Sequence, residues 1–296
     1  MIIHIIREVV GVIVRFSGLF YVYKKVVLKN KIVILIYHDP DYKIFLKHVK
    51  FLSKYFSFIN MDDLEQMLSD KRPSVSLPEN ACIITFDDGH KGNFNLLPVF
   101  REFSIRPLIY LCSRIICTNR HYWWKENIVS ASKLKTMPNS RFISQLKMEC
   151  GYEPEKEFSD RHALNASELK ALSPYVLFGS HSRFHPILVN CTDSECFNEI
   201  SESKNDLENL LGIEISHFAY PNGDFSNREI EHVRKSNYKT ARNIKYGVVN
   251  YESSRYTLNG IEIDDRASIS ILCAELIGLN SILKTFFKRI WNYSDD

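Results

Sequence analysis

Three short stretches of this chain are almost wholly apolar: 31–37 (KIVILIY), 81–86 (ACIITF) and 106–112 (RPLIYLC). A strand with one wet face alternates apolar and polar residues. A strand that is apolar throughout must be covered on both faces, as in a parallel sheet flanked by helices. Helical spacing fills the intervals. In 44–56, Phe45, Val49, Phe51, Leu52 and Tyr55 fall on one side; 61–70 and 93–103 are also helical in pattern, and 71–80 is a polar, proline-containing loop. Further on come a helix at 165–172 with Asn165 or Ser167 as its cap, a strand at 175–180, a helix at 193–212, a strand at 216–220 and a helix at 227–236. Two or three short strands then lead to an amphipathic helix from about 268 to 289. Residues 118–165 have helical pieces and no strong strand, which marks an insertion. The alternation predicts an α/β fold of βα units around a parallel sheet.

The 296 residues are 45% hydrophobic and 25% charged, as in an ordinary globular protein with a sizeable core. A net charge of +3 does not argue for a nucleic-acid partner. The seven cysteines include no CxxC pair, and Cys82 and Cys112 sit in apolar runs. That pattern fits reduced, buried thiols and a cytoplasmic location rather than a disulfide framework. No HExxH occurs, which disfavours a zinc peptidase.

Residues 1–30 stand apart. His4, Arg7, Glu8, Gly11, Arg15 and Gly18 recur every three or four residues and form one narrow stripe on a helix. The rest of the circumference is apolar, and Lys24, Lys25, Lys29 and Lys31 follow. The charges rule out a clean membrane span. A broad apolar face beside a basic flank predicts a helix in the membrane interface, with the protein peripheral to the membrane. The competing expectation is a first helix packed on the protein's own core.

In parallel α/β folds, ligands bind where the strands end and the connecting loops gather. Four polar features fall at such ends: His38-Asp39, Asp87-Asp88, the run His181 to Pro186, and the turn Tyr220-Pro221-Asn222-Gly223. His181 and His185 share one face if the segment is helical, and can still converge if it is a loop. Two histidines and a carboxylate suit a catalytic divalent metal with open positions: zinc first, with manganese, cobalt and nickel as alternatives. Adjacent aspartates can divide the work, one binding the metal and the other serving as a base. Either could instead cap the following helix. Trp123 and Trp124 in the insertion are candidates to stack on the ring faces of a ligand, or to pack the insertion onto the rest of the fold.

These residues resemble the polysaccharide deacetylase family, the chitooligosaccharide-deacetylase-like (NodB-homology) hydrolases. The family's TFDDG box matches Thr85-Phe86-Asp87-Asp88-Gly89, its HxxxH-P box matches His181 to Pro186, and FAYPNG (218–223) stands as its third motif. The resemblance implies a deformed (β/α) barrel of about seven strands over 31–296. It implies Asp87 as base, Asp88, His181 and His185 as metal ligands, and Tyr220, Pro221 and Asn222 near the substrate. A backbone amide at Asn222 would face the oxyanion. The implied reaction removes an N-acetyl, or less often O-acetyl, group from a saccharide by attack of a metal-activated water.

Two departures from the family pattern matter. Ala219 stands where many relatives place the arginine that orients the base, and no histidine follows residue 232 to serve as the late general acid. The "YH" at the first strand is similar to the poly-N-acetylglucosamine deacetylase branch, whose late motifs precede the TFDDG box. On that likeness His38 is the acid, Asp39 its orienting partner and His90 a fallback. With the amphipathic first helix, the substrate expected is a glycan precursor or lipid-linked sugar. Alternatives are a deformylase acting on a lipid-linked formamido sugar and a catalytically silent glycan-binding barrel.

Overall fold

The computed structural model describes residues 2–69, 78–126 and 134–279. Most of the expected 71–80 loop, and the expected last helix beyond 279, lie outside the described residues. Two helices open the chain, α1 (Ile2–Phe16) and α2 (Leu19–Val26), separated at Gly18, whose φ of 81° turns the chain. There follow β1 (Lys31–Tyr37), α3 (Tyr42–Leu52), β2 (Ser57–Phe58), α4 (Met61–Ser69), β3 (Asn80–Phe86), α5 (Leu97–Glu102) and β4 (Leu108–Leu111). The stretch expected as a helix at 93–103 begins as a tight 3-10 turn over Lys91–Leu96. After the insertion helix α6 (Asn139–Cys150) come α7 (Ala166–Leu172), β5 (Leu177–Ser180), α8 (Asp193–Leu211), β6 (His217–Ala219), α9 (Asn227–Lys235), β7 (Thr240–Arg242), β8 (Ile261–Glu262) and α10 (Ile269–Leu276). Asn165, not Ser167, caps α7 by accepting from the Glu168 amide.

All strand pairs are parallel, in the order β7-β6-β5-β4-β3-β1-β8, with β2 also against β3. The chain after β7 closes the ring. The Leu258 amide donates to the Ala241 carbonyl, Asn243 donates to that of Leu258, and β8 then pairs with Leu35 and Ile36 of β1. The result is a deformed (β/α) barrel. Apolar strands are explained by their two covered faces. Ile32, Ile34, Ala81, Ile83, Leu108 and Tyr110 pack together inside the barrel with Met61, Leu64 and Met67 of α4. Their alternate neighbours Val33, Leu35, Cys82, Ile84 and Phe86 pack under the surrounding helices. Helix α4 closes the barrel's amino end, where its Asp62 meets His217 at the start of β6. The other end remains for chemistry.

Candidate active site

Alternation along β3 decides where the aspartates go. Ala81 and Ile83 face the barrel interior, and Asp87 continues that parity past the strand's end. Its carboxylate meets the guanidinium of Arg242, the last residue of β7, and both side chains are buried. Burial opposes ionisation of Asp87, but Arg242 and then His181 outweigh it and hold the acid below the usual carboxylate range. Arg242 also lies 5.0 Å over the ring of Tyr110 inside the barrel.

Asp88 turns the other way because its backbone is left-handed, at φ 72°. Gly89 follows at φ 77°, and a Cβ there would fall 2.6 Å from Leu111, so the box needs its glycine. The two oxygens of Asp88 have different surroundings. Oδ2 lies 3.0 Å from His90 Nε2. Oδ1 is buried with no hydrogen-bond partner among the described residues and lies 3.6 Å from both His181 Nε2 and His185 Nε2. Burial works against the Asp88 charge, yet the His90 hydrogen bond and the nearby imidazoles drive its pKa far down.

The HxxxH segment is a loop, not a helix. Ser182 and His185 both have positive φ, at 64° and 58°. The half-buried Glu199 of α8 accepts the amides of Arg183 and Phe184 at 2.9 and 3.0 Å, and Ser182 Oγ accepts from His185 N. His181 Nδ1 donates to the Ala219 carbonyl at 2.8 Å, which leaves Nε2 as the lone-pair nitrogen facing Asp88. Burial, and then His181, press the His185 pKa down to about 3, so that imidazole is neutral. An orphaned carboxylate oxygen flanked by two imidazole nitrogens fits a divalent cation. The ligating atoms of Asp88, His181 and His185 all lie within 4.8 Å of one another.

His38 sits at the same rim, one residue beyond β1, where the Asp87 amide donates to the Tyr37 carbonyl. Burial would lower the His38 pKa, but the carboxylates of Asp88 and Asp87 outweigh it and raise the pKa above the ordinary value. Asp39 does not orient it. That side chain is exposed and lies over Gly92, and it is Asp265 that accepts the amides of His38 and Asp39, at 3.1 and 2.7 Å. Asn93 donates to the His38 carbonyl at 2.7 Å, so the backbone is gripped from both sides.

The polysaccharide deacetylase family model matches residues 74–241, more than half of the chain. The chain belongs to the polysaccharide deacetylase family. It is a carbohydrate deacetylase, a hydrolase. No curated protein matches the chain by sequence. Among solved structures it is similar to the Streptococcus pyogenes deacetylase PplD in complex with acetate: TM-score 0.62, 16% identity, 84% of this chain and 99% of that one. It is also similar to IcaB from Ammonifex degensii, at TM-score 0.61 and 14% identity over 84% of this chain and 97% of that one. A de-N-acetylase from Aggregatibacter actinomycetemcomitans aligns at TM-score 0.57 and 12% identity, over 83% of this chain and 100% of that one. At these identities the likeness establishes a shared fold.

Within this deacetylase, four roles depart from the sequence reading. The arginine missing at Ala219 is supplied by the neighbouring strand, because Ala219 pairs in register with Arg242. The only signal in the chain was an arginine closing the short strand Thr240–Arg242, the next strand after the third motif. His90 is not a free acid: it is buried and committed to Asp88. Trp123 is no sugar platform. It is buried against Phe142, and its indole N–H donates to the His185 carbonyl at 3.1 Å. Tyr220 likewise points away from the barrel interior, stacked on Phe225 with its hydroxyl donating to the Tyr256 carbonyl. Pro221 is buried beside it, whereas Asn222 is half-buried at φ 57°. Trp124 is half-buried, between Tyr122 at 4.9 Å and His185 at 4.3 Å.

Proposed function

We propose that this deacetylase removes an N-acetyl group from a saccharide, with Asp88, His181 and His185 holding a divalent cation, zinc by the character of its two imidazoles and one carboxylate. The observation that carries this reading is the buried Asp88 Oδ1, free of hydrogen bonds and equidistant from His181 and His185. When bound, the cation supplies Lewis acidity toward the acyl oxygen and toward water.

The chain's own groups account for the proton traffic. Asp87, ionised and fixed by Arg242, takes the proton of the attacking water. His38, whose pKa the two aspartates raise, delivers a proton to the departing amine. The ordering is set by charge: the group held below its usual pKa is the base, and the group held above it is the acid. The role of stabilising the developing oxyanion goes to the backbone amide of Asn222, in the turn that follows β6 at the same rim. Trp124, half-buried beside His185, is the aromatic ring left to meet the sugar.

The test is Asp87→Asn. Metal content measured on the purified variant should match wild type, and acetate release from N-acetylated oligosaccharides should fall about 10²–10⁴-fold. Turnover at the wild-type rate would sink the assignment. Release of formate in place of acetate, from formamido substrates, would move the enzyme to the deformylase reading.

A further inference from the structure

The polar stripe of α1 faces the protein. Arg7 reaches Asp264 and Glu275 of the α10 region, at 2.9 Å each, and Glu8 accepts from Ser268 Oγ at 2.8 Å. Gly11 lies so close to α10 that a Cβ would fall 2.5 Å from the Ser270 backbone. With Arg7, Glu8 and Gly11 turned inward and Val14 buried beside them, the helix leaves most of its apolar arc on the outside. Ile13 is 60% exposed, Phe16 72%, Val22 60% and Val26 72%, and Ile5 and Val9 continue the same surface. A contiguous apolar face of this kind marks an interaction surface on a soluble domain.

Its neighbour is basic. Helix α2 docks on α3, with Phe20 against Phe51 and the Tyr21 hydroxyl 3.1 Å from that of Tyr55. On α3, Lys43, Lys47 and Lys50 are exposed at i, i+4, i+7 spacing, Lys54 continues the stripe one turn on, and Tyr42–Leu52 contains no acidic residue. Lys25 on α2 is exposed as well. No described helix is long and apolar enough to cross a membrane.

We propose that the outer face of α1 and α2, with the lysine stripe of α3 beside it, docks on an anionic lipid bilayer and brings a membrane-borne saccharide to the site. The apolar arc enters the headgroup boundary while the lysines meet anionic headgroups. The geometry also fixes the direction of the mouth. Arg7, near the start of α1, holds Asp264, and the next residue, Asp265, grips His38 at the active rim. Helix α2 ends close to the start of β1, at the barrel's opposite end. The docking face therefore runs along the side of the barrel from mouth to base, and a bilayer against it leaves the mouth opening along the membrane surface. The docking part stands independently of the chemistry; the substrate part rests on the deacetylase reading.

The test is co-sedimentation of the full chain with vesicles of phosphatidylcholine alone and of phosphatidylcholine mixed with phosphatidylglycerol. The protein should bind the anionic vesicles and release at high salt. Ile13→Glu with Phe16→Glu should weaken binding about a hundredfold, and Lys47→Gln with Lys50→Gln about thirtyfold. Melting temperature and hydrolysis of a water-soluble N-acetylated oligosaccharide should be unchanged in both variants. Hydrolysis of a vesicle-borne N-acetylhexosamine glycolipid should fall with binding; an unchanged rate would overturn the substrate part. Vesicle binding without hydrolysis of any substrate would leave docking standing and refute the deacetylase reading. Docking is overturned if both variants bind like wild type or the wild type ignores anionic vesicles. It is equally overturned by a solution dimer that the Glu variant dissociates, or by binding that appears only once residues 280–296 are removed.

Discussion

Replacing Arg242 by leucine tests the central electrostatic device of the site. The guanidinium and the Asp87 carboxylate are 1% and 3% exposed, so the variant leaves a buried anion beside Asp88 with no cation against it. Removing one partner of such a pair costs about 3–5 kcal/mol, a fall in Tm of roughly 5–8 °C for a chain of this size. The sign of the pH dependence follows from the direction of the shift. Asp87 is held below its ordinary pKa, so the pair stabilises the fold above the unfolded pKa, and that contribution is lost as pH falls through the folded pKa. The deficit of the variant should therefore be greatest near neutrality and shrink toward acid, where its buried carboxyl takes up a proton. Melting followed by circular dichroism across this range gives the curve. Turnover should also drop by about 10²-fold from loss of base positioning. Adding Asp87→Asn to Arg242→Leu should recover much of the stability and none of the activity. Because Ala219 is the register partner of Arg242, Ala219→Arg combined with Arg242→Ala should recover part of both. An Arg242→Leu protein that melts with wild type at neutral pH, or whose deficit grows toward acid, would refute the reasoning.

Two further substitutions separate the remaining roles. His90→Phe keeps the ring packed against Tyr122 at 4.7 Å but frees Asp88 Oδ2, and should weaken metal affinity about 10–100-fold in a chelator competition; unchanged affinity would assign His90 to packing alone. His38→Asn should keep metal and lose about 10²–10⁴ in kcat. In wild type the raised His38 pKa places the alkaline limb of kcat/KM above the ordinary histidine value, and the variant should lose that limb; an identical pH profile would remove His38 as the acid.

Parts of the site were readable from the chain because they are local. The TFDDG and HxxxH-P boxes sit within a few residues, and apolar runs that must be covered on both faces placed them at the ends of parallel strands. Those constraints act through backbone parity and turn geometry, which short segments carry by themselves. The partners of these residues were not readable, since they are chosen by packing between distant segments. Arg242 reaches Asp87 across 155 positions, and Asp265 holds His38 across 227. Register between β6 and β7 alone lets an arginine on one strand stand in for the alanine on the other. The first helix makes the same distinction. Its sequence determined one polar stripe and one broad apolar arc, but periodicity is indifferent to which side meets the protein. The acidic residues at 264 and 275, together with the close approach of Gly11 to α10, turned the stripe inward and left the apolar arc facing out.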